Sequence, residues 1–231
     1  MSVEQDASVT MDLSGGLLVG SNSELWIGCE STPFTGTWTL TFNGRREDLG
    51  NTERWLSVDY GDYGLPPRFE VWANALVASH GARLEIHGAP KTSWTRLRED
   101  AGVGATTLTL EEGPVGWAPG DEIVIAGTGV NGGSERATVA SVAGDAVTLQ
   151  NGLTNVHEGS WPGRGARLNG EVGMLSHNVR FTSGFDLGAC ENAFGGTGLS
   201  ARTDEQTKDS CFGGNVAFLQ HSIVHVENAE F

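Results

Sequence analysis

The sequence predicts an all-β protein. Three observations carry that reading. Glycine supplies 34 of the 231 residues, roughly twice its usual share. Short runs of β-branched and aromatic residues lie between these glycines, as strands lie between turns. No long stretch repeats with the helical period of 3.6. Proline is too rare, at 7 residues, for a collagen-like or disordered tract.

The first section, residues 13–100, opens with the strand-like runs GGLLVGS, SELWIG and TWTLTFNG, broken at Gly16, Gly20, Gly28, Gly36 and Gly44. In TWTLTF the large residues alternate, which predicts a strand with one buried face. Arg46–Arg68 is polar and ends in Pro66-Pro67, so it reads as an exposed loop. FEVWANALVASHGARLEIHG then supplies two strands joined at His80-Gly81. Alternation in ARLEIHG puts Leu84 and Ile86 on one face and Arg83, Glu85 and His87 on the other.

The second section, residues 101–157, holds ATTLTLEEG, DEIVIAGTG, ERATVASVAGD and AVTLQNGL. Four short strands with short connections predict a small antiparallel barrel or sandwich. In the third section, residues 158–231, EVGMLSHNVRFTSG and GGNVAFLQHSIVHVENAEF look like turns of a parallel β-helix. Each such turn buries its apolar side only by stacking on a neighbour.

Net charge is −15. An acidic chain lacks the basic surface that phosphate backbones require, which argues against nucleic acid as a partner. The acidity is uneven. Residues 43–100 carry eight basic and nine acidic groups, whereas residues 101–231 carry six and fifteen. A polyanion would therefore meet the chain in the first section, through Arg45, Arg46, Arg68 and Arg83. No stretch of about 18 apolar residues suggests a membrane span. The first residues have no basic and apolar leader pattern, and the last ones stop inside a strand-like run, which reads as a piece of a longer protein.

No nucleophile elbow, HExxH pair, phosphate loop or dinucleotide motif is present. His87 stands out singly, either as a proton-transfer group near neutral pH or as a structural hydrogen-bonding residue. Cys190 and Cys211 flank a polar loop and form a disulfide or remain two thiols; Cys29 stays outside that pair. The cysteines have no zinc-site spacing. His221 and His225 sit four apart on an extended stretch, a poor metal site by themselves. Asp121-Glu122 and Asp204-Glu205 offer oxygen ligands for calcium without a recognisable ligand loop. No other cofactor is indicated. Trp94 and Trp117 read as packing residues.

Three stretches in order, RLEIHGAPKTSWTRL (Arg83–Leu97), WAPGDEIVIAG (Trp117–Gly127) and EVGMLSHNV (Glu171–Val179), resemble the G-eight domain and the right-handed parallel β-helix that follows it in fibrocystin-like receptors and in cell-surface hyaluronidase. STPFTGTWTLTFNGR (Ser31–Arg45) is similar to a further segment of that family. The resemblance implies a β-helix carrying an inserted antiparallel barrel, and an extracellular or cell-surface location. It implies a recognition or adhesion module that meets a polysaccharide or an extracellular protein, with any membrane attachment supplied by other parts. A glycosaminoglycan hydrolase is the alternative it leaves open, with Arg45, Asp48 and His87 as the catalytic set. A purely structural scaffold is the third.

Overall fold

The computed structural model describes residues 4–20, 22–43, 55–58, 69–72, 75–128, 133–159, 169–184, 214–219 and 221–231. Every regular element among them is a strand. The chain divides into two compact units, residues 1–88 with 178–231, and residues 89–177.

The first unit is built by repeated passes of the chain. The first pass lays down β1 (Ser8–Leu13), β2 (Leu17–Val19) and β3 (Glu24–Ile27). The second lays down β4 (Thr37–Phe42), the hairpin strands β5 (Trp55–Val58) and β6 (Phe69–Trp72), then β7 (Ala75–Ala78) and β8 (Arg83–His87). The chain then leaves for the second unit, where it forms β9 (Trp94–Arg96), β10 (Thr107–Thr109), β11 (Glu122–Ile125), β12 (Glu135–Ala143), β13 (Ala146–Leu149) and β14 (Glu171–Met174). It returns as β15 (Val179–Ser183), β16 (Asn215–Phe218), β17 (Ile223–Glu227) and β18 (Ala229–Glu230).

Each pass adds one strand to each of three parallel sheets, ordered β1-β4-β15-β18, β2-β7-β16 and β3-β8-β17. Parallel strands need a long return path, and the rest of each pass provides it. The corner into the third sheet is the same each time. Ser23 N–H donates to the Gly20 carbonyl, Ala82 to Ser79 and Ser222 to Leu219. Asn22, His80 and His221 sit there at positive φ of 62°, 51° and 64°, with Gly81 at 75° beside His80. Asn and His tolerate that region better than most side chains do. His221 is thereby a corner residue, and the extended stretch that would carry it alongside His225 begins only after it.

Alternation sets what fills the stack. Leu25, Leu84 and Val224 align in one row, and Ile27, Ile86 and Val226 in the next. With Leu40, Phe42, Leu76 and Phe181 they form one apolar core. Trp38, Leu40 and Phe42 turn inward from TWTLTF, as the sequence pattern requires.

The second unit is one antiparallel sheet, ordered β10-β13-β12-β11-β14-β9. A register shift between Val139 and Ser141 bends the nine-residue β12. The sheet curls until its edge strands meet, where Arg98 N–H donates to the Thr109 carbonyl and Glu111 N–H to the Arg96 carbonyl, both at 2.8 Å. Leu97, Leu110, Ile123, Ile125 and Val139 fill the interior. This unit begins at residue 89 and ends at 177, not at 101 and 157, because β9 and β14 pair with each other and complete its sheet. His157, fully buried, bridges the Ala126 carbonyl and Glu135 at 2.8 Å each. Glu135 also accepts from Thr154 and Asn155. Although burial pushes its carboxyl up, these donors hold it down at about 2.

Trp117 packs as expected, buried, with its indole N–H on the Thr92 carbonyl at 2.7 Å. Trp94 does not. It is 56% exposed, with the Arg96 guanidinium 5.1 Å from its ring centroid. It sits on an edge strand, and among the described residues the Arg96 guanidinium is the cation over its ring. Asp121, offered above as a calcium ligand, has both oxygens engaged within the chain. Its oxygens take Lys91 Nζ at 2.6 Å and the Ala118 N–H at 2.8 Å, and Glu122 faces Arg136. Cys190, Cys211 and Asp204-Glu205 lie outside the described residues.

Candidate functional site

The outward face of the sheet β3-β8-β17 carries an unusual set of side chains. Outward residues of a stacked sheet normally meet water. Glu85 and His87, in the middle strand, are only 4% and 3% exposed. Register explains part of this. Trp26, Glu85 and His225 form one row across the three strands, with Arg83 and His87 to either side. The turn Cys29–Ser31, which follows β3, walls the same groove, whose volume is about 870 Å3.

Gly28 makes that turn at φ 72°, and a Cβ there would lie 2.5 Å from both the His87 carbonyl oxygen and the Phe34 nitrogen. Only glycine fits so tight an approach.

Glu85 is the hub. Its Oε1 accepts from Arg83 Nε and Nη2, both at 2.8 Å. Its Oε2 meets His87 Nε2 at 2.9 Å, and His225 Nδ1 lies 3.0 and 3.1 Å from its two oxygens. The hydrogen bond from His87 holds the Glu85 carboxyl below its ordinary range, burial opposes this, and Arg83 and His225 add to the lowering.

His87 has a carboxylate at each ring nitrogen, Glu85 at 2.9 Å and Glu227 Oε2 at 3.4 Å. A neutral imidazole donates from one nitrogen only, so satisfying both acceptors requires the imidazolium. Burial pushes the ring pKa down, but the hydrogen bonds and charges of Glu85 and Glu227 outweigh it and leave it raised. Hydrogen bonds from the Ser31 and Thr32 side chains lower the pKa of the Cys29 thiol, against a smaller opposing effect of burial.

On one flank, Trp26 is 48% exposed. Its indole N–H donates to Glu24 Oε2 at 2.9 Å, and Arg83 sits 5.1 Å from its ring centroid. The indole is therefore held in place before any ligand arrives. On the other flank, the Glu227 and His225 side chains are each 59% exposed.

This chemistry suits holding more than proton transfer. A hydrolytic carboxylate pair needs both groups within hydrogen-bond reach of the scissile bond. Glu85 is buried and its oxygens are already occupied by three neighbours. Among the described residues no group of three or more His, Cys, Asp or Glu side chains is arranged to hold a metal ion, this one included.

Of the residues the sequence singles out, the structure brings Arg83, His87 and His225 together here. Arg83 is not a free cation, since Glu85 takes its guanidinium. Arg45, Arg46, Asp48 and Arg68 lie outside the described residues. Sequence reasoning missed Trp26, Glu85 as the hub, and Glu227. Alternation in SELWIG could have placed Trp26 on an outer face; nothing local could have brought Glu227 to His87, 140 residues away.

Residues 1–98 match the G8 domain family. The chain is 30% identical over 227 residues to fibrocystin-L of Homo sapiens, covering 87% of this chain and 5% of that protein. The chain is a G8-domain protein of the fibrocystin-like type. Fibrocystin of Canis lupus familiaris is 36% identical over 104 residues, which is 42% of this chain and 2% of that one. The chain thus spans 5% or less of these curated relatives. Among solved structures, the tailspike gp61 of Pseudomonas phage phi297 is similar with a TM-score of 0.34 and 16% identity, over 73% of this chain and 23% of the tailspike. Trp26, Arg83, Glu85 and His87 fall within the matched G8 residues, and β17 completes the groove from beyond them.

Proposed function

We propose that this G8-domain chain is an extracellular recognition module of a fibrocystin-like protein, and that it binds its ligand in the groove of β3, β8 and β17 without cleaving it. In this reading the three parallel sheets are the first turns of a right-handed parallel β-helix. Residues 89–177 are a small antiparallel barrel inserted into it. The ligand is a polysaccharide or an extracellular protein, and any attachment to a membrane comes from elsewhere in the full-length protein. The observation that carries the proposal is the fixed, half-exposed Trp26 beside a buried Glu85–His87 pair. A pre-arranged aromatic surface next to saturated polar groups favours binding, because little ordering remains to be done when the ligand arrives.

The test uses the fluorescently labelled 231-residue chain on intact cells. Saturable surface binding should fall about tenfold or more in Trp26→Ala, the loss expected of an aromatic anchor. Equal binding by the variant and the parent chain would exclude this groove. Hyaluronan incubated with the chain should keep its length distribution. Shortening that disappears in His87→Gln would replace recognition with hydrolysis.

A further inference from the structure

The charge of the groove says more about its ligand. Resting on the recognition reading above, we propose that the groove takes an uncharged, hydroxyl-rich saccharide and excludes acidic glycans.

Among the described residues, four carboxylates stand in or beside the groove: Glu24 and Glu30 from β3 and the turn after it, Glu85 from β8, and Glu227 from β17. The cations facing them among the described residues are Arg83, His87 and His225. Even with both imidazoles protonated, the carboxylates are in the majority. A uronate or sulfate group is best held by a guanidinium with two free N–H groups. The guanidinium here donates twice to Glu85 Oε1, at 2.8 Å each. The remaining three N–H groups lie beside that same carboxylate, so an acidic ligand bound to them would share the cation with Glu85 and meet its negative charge at close range.

What the groove offers freely is different. The indole of Trp26 is flat, anchored through Glu24 and half-exposed, which suits the C–H face of a pyranose ring. The exposed carboxylate of Glu227 is an acceptor for sugar hydroxyls. A basic peptide would also suit the negative balance, but its cation would be repelled by Arg83, which lies 5.1 Å from the Trp26 ring centroid, whereas an uncharged ring is not. That leaves stacking and hydroxyl recognition as the unmet capacity of the site.

The experiment is calorimetric titration of the whole 231-residue chain with three sets of probes. The neutral set is the hexasaccharides of mannan, cellulose, chitin, xylan and laminarin. The acidic set is the octasaccharides of hyaluronan and heparin, and the basic probe is octalysine. At least one neutral hexasaccharide should bind, with an affinity nearly independent of salt, because no screened ion pair is formed. Trp26→Ala should weaken it by about tenfold or more, and Trp26→Phe, which keeps a ring in the same fold, by less. The acidic probes should bind at least about a hundredfold more weakly.

Trp26-dependent binding of an acidic octasaccharide at equal or higher affinity would overturn the exclusion while leaving the recognition reading intact. Binding of octalysine with no response to any sugar would overturn the saccharide and keep the groove. Silence from every probe also overturns the saccharide proposal. The recognition reading would then stand or fall on Trp26-dependent binding to cells.

Discussion

His87 and Glu85 lose their stabilising contributions on opposite sides of one pH interval. The folded-state pKa of His87 is raised, so its contribution is complete below the ordinary value of 6.5 and is lost as pH rises through the folded value. That of Glu85 is lowered, so its contribution is complete above 4.5 and is lost as pH falls through the folded value. The urea midpoint of the parent chain should therefore be highest between those two pH values. His87→Gln should flatten the alkaline decline, because it removes the titrating partner of both carboxylates. If the decline between pH 6 and 8 has the same slope in both proteins, the His87 bridge is not what titrates. Glu85→Ala should cost about 3 kcal/mol in the same measurement, since Arg83, His87 and His225 would lose the buried carboxylate they share, and only the exposed Glu227 would remain beside His87.

At the scale of elements, the stack depends on close approach between successive passes. Gly88 ends β8 where the third pass crosses it, and its N–H donates to the Glu227 carbonyl at 3.0 Å. A Cβ at Gly88 would overlap the Asn228 carbonyl oxygen. That neighbour is backbone and cannot swing aside, unlike the tip of a side chain. Gly88→Ala should push β17 away from β8 and lengthen the His87–Glu227 contact. Hydrogen exchange should show amides of residues 223–227 losing protection, with little change in 122–125 of the other unit. Unchanged protection in 223–227 would mean that the passes have more slack than their geometry indicates. A substitution at Gly102 or Gly120, where an added Cβ meets nothing, serves as the steric control at Gly102, and Gly120 adds only the cost of its positive φ of 92°.

At the scale of the whole molecule, the all-β class was legible because glycine spacing and alternation are local signals. LEIHG showed which side chains share a face, and TWTLTF showed its buried side. Neither could reveal the order of strands in the three sheets. Parallel partners are set by rows such as Trp26, Glu85 and His225, whose members are separated by about a quarter and more than half of the chain. The site was therefore half-legible: Arg83, Glu85 and His87 came from one strand, whereas Trp26 and Glu227 needed the stacking itself. The burial of an outward Glu and His was invisible for the same reason, since alternation reports which face a residue is on but not what covers that face. The limits of the inserted unit were misjudged because β9 and β14, its two outermost segments in sequence, show no turn signal that separates them from their surroundings.

The point at which the chain departs from the stack and the point at which it comes back have a topological consequence. An added Cβ on Gly88 would lie 2.8 Å from Asn178 Oδ1, and Asn178 is itself tied down by Nδ2 bonds to the Phe34 and Gly36 carbonyls at 2.8 Å. The excursion therefore begins and ends at one spot. Its own fold brings its two ends together as well, since Met174 N–H donates to the Ser93 carbonyl at 2.9 Å. The host pays closure entropy for a short bridge whatever the excursion contains, because that entropy grows only with the logarithm of flexible length. Residues 89–177 should thus be exchangeable cargo. Replacing them with a linker of about four glycine and serine residues, each spanning up to about 3.5 Å, should leave a chain that folds cooperatively and keeps the Trp26 groove. A spliced chain lacking a cooperative urea transition would show that the excursion is a structural partner of the stack and not a passenger on it.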